Sequence, residues 1–362
     1  MSLISRMHAG GEAGQPGPQY LEDLACAYWL SETLFAAVET DLFTLLAAGS
    51  RTAGDIAATL AFDPGGVERW LQVLWALGLL ERIAPSSRGG VAAFANSELS
   101  ATYLVQGRDG YQGDSILWRK YLAVGWQSLL GCLQAGGRVL YPAAEEPHEQ
   151  LARRVRRYIR AMDNVAGVKA REIVPVFKGV LDTGAILDVG AGSGAMAAGF
   201  LEQYPGLRAT LIDLPEVLDF AGELLQSRSC IDRITCSAAN ILEPWPVSDH
   251  SFDLVILSNV LHAYSEQEVP PLLAKSAACL KPGGLLLVHD FWPEHSPVKA
   301  ALFDLNMLIN TYNGRLFPAS WVRSQLAGLD LCSTELIPLR TDTALMIAGK
   351  NEQALASLCL NG

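Results

Sequence analysis

Three glycines spaced two apart, Gly190, Gly192 and Gly194, follow an apolar run, Ile186, Leu187 and Val189, that carries one carboxylate, Asp188. The run reads as a buried strand entering a turn that opens a helix. Glycines in such a turn let the backbone bend sharply and approach a ligand closely. A second carboxylate, Asp213, closes the next apolar run, Ala209-Thr-Leu-Ile-Asp213, about where a nucleotide-type site needs an acid for ribose hydroxyls. The pattern is G-x-G-x-G rather than the dinucleotide G-x-G-x-x-G, since Ala197 and Ala198 come next. Proton transfer at neutral pH points to histidine. Of the six histidines, His8 lies in a polar leader, His148 and His250 in polar loops, and His295 among prolines. His262 and His289 remain, near the ends of two runs expected to be adjacent strands.

Four stretches in order, Asp188-Val-Gly-Ala-Gly-Ser-Gly194, Leu211-Ile-Asp-Leu-Pro215, Leu257-Ser-Asn-Val-Leu-His262 and Lys281-Pro-Gly-Gly284, resemble the motifs of class I S-adenosylmethionine (SAM) methyltransferases. The Asp-Leu-Pro and the histidine narrow the resemblance to O-methyltransferases with an N-terminal dimerisation domain, the plant caffeate and flavonoid enzymes and the bacterial polyketide-tailoring enzymes. It covers roughly residues 20–350.

The resemblance implies SAM as cofactor, S-adenosylhomocysteine as product, and no metal. The cofactor residues it implies are Asp188, Gly190, Gly192, Gly194, Asp213, Leu214, Asn240, Ile241 and Ser258. Asp213 would hold the ribose diol; the plain alternative is a helix N-cap before Pro215. Asn240 stands where the family usually has an acid, and its amide oxygen can accept from the adenine amine, with Ile241 as an apolar lid. His262 matches the catalytic base, although Ala263 and Tyr264 replace the usual Asp-Trp after it. Asp290 matches an acid that orients the histidine and favours the imidazolium formed on proton transfer. The family's second supporting acid is missing: Leu316 occupies its place in Asn313-Gly-Arg-Leu-Phe-Pro318. Tyr158 and Met162, four apart on one helix face, match positions lining the acceptor pocket, as do Asn306, Met307, Asn310 and Asn313. For Met307 the plain alternative is helix packing.

The expected function is transfer of a methyl group from SAM to a hydroxyl of a small aromatic secondary metabolite. One alternative keeps the scaffold and methylates carbon, on a tetrapyrrole or polyketide. A non-enzymatic alternative is a winged-helix regulator that senses SAM.

These residues need elements that bring them together. From residue 166 onward, helical and strand-like runs alternate. Strands are expected at 185–189, 208–213, 234–236, 252–257 and 285–289, with two more near 330–337 and 343–348. Helices are expected at 168–178, 195–203, 215–226 and 266–280. The alternation implies an α/β fold, a doubly wound Rossmann-like sheet, whose ligands sit outside the carboxyl ends of the strands. The N-terminal half reads as mainly helical. Two helices are expected over 20–48, then helices capped by Thr52 and Asp63, then short strand-like runs forming a β wing, then a helix over 111–141. The expected organisation is a flexible leader over 1–18, a winged-helix dimerisation domain over 19–145, and a methyltransferase domain over 146–362 that begins with a hinge helix. Pro142 to Pro147 is the linker candidate, and the resemblance makes the N-terminal domain a homodimer scaffold that closes the partner's active site.

The helix from Pro64 to Leu80 offers one basic residue, Arg69, whereas a DNA-recognition helix brings several donors. With net charge −11 this argues against nucleic acid as the main partner. A basic run follows the linker, Arg153, Arg154, Arg156, Arg157 and Arg160, which reads most simply as a solvated face, the alternative being pairing with an anionic substrate or a partner subunit. Seven scattered cysteines without a C-x-x-C fit reduced thiols in the cytoplasm better than a disulfide framework. No apolar run is long enough to span a membrane.

Overall fold

The structure is a computed structural model that describes residues 17–85, 90–141, 147–350, 352–356 and 358. Most of the expected leader, the residues 86–89 between the wing strands, and all of the linker candidate except Pro147 lie outside the described residues. Contacts divide the chain into two compact units, Met1–Lys120 and Tyr121–Gly362. That division falls before the 145/146 boundary read from composition. The cause is local. The Trp126 indole N–H donates to Asn306 Oδ1 at 3.0 Å, and Arg138 donates to the Asn310 carbonyl at 3.2 Å, so this stretch is tied to the second unit.

In the first unit the expected two helices over 20–48 are three: Pro18–Cys26, Tyr28–Glu39 and Leu42–Leu46. Asp41 adopts a left-handed backbone (φ 53°), which ends the second helix before the third begins. Thr52 caps the helix Ala53–Leu60 through a reciprocal pair with Asp55, and Asp63 Oδ1 accepts from Gly66 N at 2.7 Å to cap Pro64–Ala76. Three short strands, β1 (Arg51–Thr52), β2 (Leu80–Ile83) and β3 (Ala93–Asn96), pair antiparallel in the order β1-β3-β2. Leu42, Phe43, Ile56, Leu71, Leu74 and Phe94 fill the core between them. The helix expected over 111–141 breaks into Gly113–Trp126 and Leu129–Ala135, and the second piece stops at Gly136 in the left-handed region.

The second unit is built on an eight-stranded sheet. Its strands are β4 (Thr183–Val189), β5 (Gly206–Asp213), β6 (Ile234–Ala238), β7 (Phe252–Ser258), β8 (Leu280–Asp290), β9 (Cys332–Ser333), β10 (Ile337–Pro338) and β11 (Ala344–Gly349). The order is β10-β11-β8-β7-β4-β5-β6, with β9 also paired to β11. Strands β4 to β8 run parallel; β11 is antiparallel to β8. The direction of winding reverses at β4, which places a crevice at the carboxyl ends of β4 and β7. Apolar residues cover both faces of the sheet, as near-continuous Val, Ile and Leu runs require.

The helix expected at 168–178 is the end of one long helix, His148–Ile173; Pro175 sits in the 3₁₀ turn Val174–Phe177 that ends it. Its arginines pack as well as face solvent: Arg156 pairs with Glu223 at 3.0 Å, and Arg156 and Arg160 lie over the Phe220 ring. Among the described residues, no helix is long and apolar enough to cross a membrane, and no His, Cys, Asp and Glu cluster could hold a metal.

Candidate active site

The ends of β4, β5, β7 and β8 carry the candidate residues. After β4, Gly190, Gly192 and Gly194 all have positive φ, at 68°, 57° and 75°. A methyl group at Gly194 would stand 2.8 Å from Leu211 Cδ1, so this glycine serves helix–sheet packing. A methyl at Gly192 would meet nothing within 4 Å, so this glycine leaves the turn open. The turn is tied to the end of β5. Gly190 N and Ala191 N donate to the Ile212 carbonyl, and Gly192 N donates to Asp213 Oδ2 at 2.9 Å. Asp213 Oδ1 accepts from Leu214 N at 2.8 Å. Burial pushes the Asp213 carboxyl up, although both backbone donors oppose it. Asp188 lies beneath, fully buried, with Oδ2 accepting from Ala197 N at 3.2 Å; burial pushes its carboxyl up to about 7.

After β6, Ile241 is buried beside the turn; a methyl at Gly190 would lie 3.8 Å from its Cδ1. Asn240 folds its amide oxygen back onto Leu242 N at 3.0 Å, so that oxygen already holds one partner. The Ile241 carbonyl accepts from both the Trp245 indole (2.9 Å) and Lys275 Nζ, which braces the loop from behind. After β7, Asn259 has φ 56° and gives its N–H to the His289 carbonyl at 2.7 Å.

His262 sits in the 3₁₀ turn Leu261–Ala263 that follows β7. Its Nδ1 is 2.6 Å from Asp290 Oδ1 at the end of β8, and its backbone N donates to Oδ2 at 3.3 Å. A carboxylate only accepts, so Nδ1 carries the hydrogen and Nε2 is left with its lone pair. The His262 side chain is 12% exposed. Phe303 meets the imidazole edge-on at 5.0 Å, Phe291 at 6.1 Å, and the two phenylalanines stack at 3.8 Å. Leu316, buried, lines a small space with His262, Asp290, Phe291, Trp292 and Phe317. His289 is fully buried with both ring nitrogens hydrogen-bonded, to Ser258 Oγ and Thr343 Oγ1, so it has no face for an acceptor.

The six acceptor candidates separate. Asn306 and Asn310 are joined by a 2.9 Å hydrogen bond on the helix Pro297–Asn310. Asn313 donates to Glu268 Oε2 at 2.9 Å. Met307 is buried and lines, with Asn313, Tyr312 and Leu308, an open cavity of about 550 Å³. Tyr158 is exposed and Met162 half-buried on the long helix; neither lines the space beside His262. The sequence reading passed over Phe303, whose spacing of three and seven from Asn306 and Asn310 is the helical signal that places it on their face. It also passed over Gly314, where a methyl would overlap the His262 carbonyl oxygen. Burial pushes Asp163 up, with the Ser193 hydroxyl in the glycine turn opposing as a donor. The sequence reading chose its neighbour Met162.

The strand ends fit a nucleoside carrying an amino-acid chain. The turn is open at Gly192, an acid stands at the end of β5, and Asn259 Oδ1 is a buried acceptor without a hydrogen-bond partner in the structure.

Comparison with known proteins agrees with this arrangement. Residues 134–322 match the O-methyltransferase domain family, and residues 22–106 match the O-methyltransferase dimerisation domain. The chain is 31% identical over 331 residues to 3-hydroxy-5-methyl-1-naphthoate 3-O-methyltransferase of Streptomyces sahachiroi, covering 88% of this chain and 92% of that one. It is 30% identical to acetylserotonin O-methyltransferase of Bos taurus, over 84% of this chain and 90% of that one. The crystal structure of human N-acetylserotonin methyltransferase in complex with SAM superposes with a TM-score of 0.81, at 25% identity, over 94% of this chain and 100% of that one.

Proposed function

Because the chain belongs to the SAM-dependent O-methyltransferases that carry an N-terminal dimerisation domain, we propose that it methylates a phenolic hydroxyl of a small aromatic metabolite, with His262 as general base. The observation that carries this reading is the His262–Asp290 hydrogen bond at 2.6 Å, set against the Phe291 and Phe303 rings. SAM supplies a methyl group on a sulfonium, which an oxygen nucleophile displaces in line. The chain supplies position and proton transfer. Nε2 of His262 takes the hydroxyl proton. Asp290 holds the tautomer that leaves Nε2 free and then faces the imidazolium with its own charge. The edges and faces of Phe291 and Phe303 give a flat aromatic acceptor something to pack against. The names of the naphthoate and acetylserotonin relatives agree with an aromatic acceptor. Asn306, Met307, Asn310 and Asn313, with Tyr158 and Met162, are the acceptor-side residues of this reading.

The cofactor would be held by the backbone of Gly190, Gly192 and Gly194, with Asp188 bracing the turn from below. Asp213 and Leu214 would hold the ribose, Asn240 and Ile241 the adenine, and Ser258 the amino-acid part. The Tyr264 hydroxyl, pushed up to about 12 by burial and by the nearby Asp213 and Glu268 carboxylates, stays protonated. Leu316 leaves the imidazole with one carboxylate instead of two, which favours acceptor hydroxyls already acidified by their ring. We place the enzyme in the cytoplasm as a homodimer joined through its N-terminal unit.

The test is methyl transfer from isotope-labelled SAM to a panel of phenols, enols and tetrapyrroles, with products read by mass. The expected result is an O-methylated phenol whose kcat falls about 10²–10⁴-fold in His262→Ala, the range for a lost general base. A product methylated on carbon, with activity surviving in the variant, would overturn the reading.

A further inference from the structure

A file of polar groups runs along one face of the sheet behind the site, and only its last member, the half-buried Ser258, has a place in the reading above. Lys169, on the long helix and 6% exposed, donates from Nζ to Thr343 Oγ1 at 2.8 Å, to Asp342 Oδ1 at 3.3 Å, and to Thr341 Oγ1. An ammonium has three hydrogens, and these three oxygens account for them. Thr343 Oγ1 lies 2.9 Å from His289 Nε2, and His289 Nδ1 lies 2.8 Å from Ser258 Oγ. Thr343 and His289 are both fully buried. Ser258 and His289 are paired residues on the parallel strands β7 and β8, so they stand side by side on one face.

One set of directions leaves no hydrogen in this file unpaired. Thr343 Oγ1 receives a hydrogen from Lys169, and His289 Nε2 is the other partner its hydroxyl has among the described contacts, so its own hydrogen goes there. That nitrogen therefore accepts, and a neutral imidazole that accepts at Nε2 carries its hydrogen on Nδ1. Burial pushes His289 down to about 3, with Lys169 and His262 adding and Asp290 and Asp342 opposing, so the ring is neutral. Nδ1–H then donates to Ser258 Oγ. The serine hydroxyl accepts from behind and keeps its own hydrogen for the crevice. Ser258 ends β7, whose Leu257 pairs with Val189, the residue before Gly190.

We propose that Lys169, Thr343 and His289 are positioning residues that hold Ser258 as a hydrogen-bond donor toward the carboxylate of the cofactor's amino-acid part. A hydroxyl fixed as a donor suits an anion and disfavours the ammonium of the same group. The proposal rests on the cofactor reading above and adds to it the polarity of one contact and the origin of that polarity in the long helix packed on the same face of the sheet.

Two measurements test it. The first is the tautomer of His289 in the wild-type protein, read from imidazole nitrogen shifts after ¹⁵N-histidine labelling. Hydrogen on Nδ1 is expected; hydrogen on Nε2 would overturn the proposal without any variant. The second is calorimetric affinity for two probes, S-adenosylhomocysteine and its decarboxylated form S-adenosyl-3-thiopropylamine. Ser258→Ala and Thr343→Val are each expected to weaken the first about tenfold, as loss or misdirection of a bond to a charged group does, and the second less than about twofold. Thr343→Ser should restore wild-type affinity, and the double variant should be no weaker than Ser258→Ala. Equal weakening of both probes would reduce the file to a packing role and overturn the proposal. A wild-type protein that bound neither probe would instead remove the cofactor reading on which it stands.

Discussion

Leu316 sets the demand that this site makes on its acceptor. A base flanked by two carboxylates can draw a proton from a hydroxyl of ordinary acidity. His262 has Asp290 on one side and, in the same small space, the apolar side chains of Leu316 and Phe317. Across a series of ring-substituted phenols, kcat/KM of the wild type should therefore rise with acceptor acidity. Leu316→Glu should flatten that dependence and raise turnover of the least acidic members about tenfold. A flat wild-type series would count against a role for the missing acid. The same substitution puts a carboxyl into a site that is 6% exposed, so a lower unfolding midpoint is expected alongside.

Two glycines show how elements fix the distances that chemistry needs. Gly314 lies between the helix Pro297–Asn310 and Ala319–Ala327, and its backbone presses on the turn that carries His262. A methyl there would overlap the His262 carbonyl oxygen and stand 3.1 Å from the Ala263 carbonyl carbon, both backbone atoms that cannot swing away. Gly314→Ala should displace the base and lower kcat on the order of 10²-fold, since a shift near 1 Å has that effect, while affinity for S-adenosylhomocysteine stays near wild type. Gly192→Ala should do the reverse. Its methyl would meet nothing, but it would fill the open face of the turn at φ 57°, so cofactor affinity falls first. If both variants lost affinity alike, the two elements would not be separable in this way.

At the scale of the whole molecule, the first unit exposes large apolar side chains on its first two helices, among them Leu21 at 67%, Tyr28 at 63% and Trp29 at 55%. Tyr28 and Trp29 adjoin edge-on at 6.2 Å, and exposed apolar side chains of this size suit a surface that a second copy of the chain would cover. The match of residues 22–106 to a dimerisation domain agrees with that. Sedimentation at micromolar concentration should give about twice 38.9 kDa, and Leu21→Asp with Trp29→Asp should shift the protein toward a single chain. A wild type that sediments as one chain would refute the homodimer.

Periodicity and glycine spacing were enough to set out the parallel sheet and the order of its motifs, because a strand buried on both faces is a continuous apolar run and a ligand turn must use glycine. The helix Ala195–Gln203 and the ends of β5 at Asp213 and of β7 near Ser258 fall where those signals put them. Asp188, Asp213 and His262 stood out because each falls within a matched stretch at or just past a strand end, and Asp290 because it closes β8 beyond the matched stretch 281–284; the roles of all four belong to the proposed function. Where a helix stops was less legible. A left-handed Asp41 or a single residue such as Ala27 between two helices leaves no trace in apolar spacing. The surroundings of His262 were decided only in three dimensions. Phe291, Phe303, Leu316 and Gly314 reach it from just past β8, from one helix and from the loop after that helix, and no local period links them. The same holds for Lys169 and Ser258, far apart in the chain and joined through His289 and Thr343. Hydrogen-bond direction depends on which partners stand along the file, and only the folded sheet puts them in place.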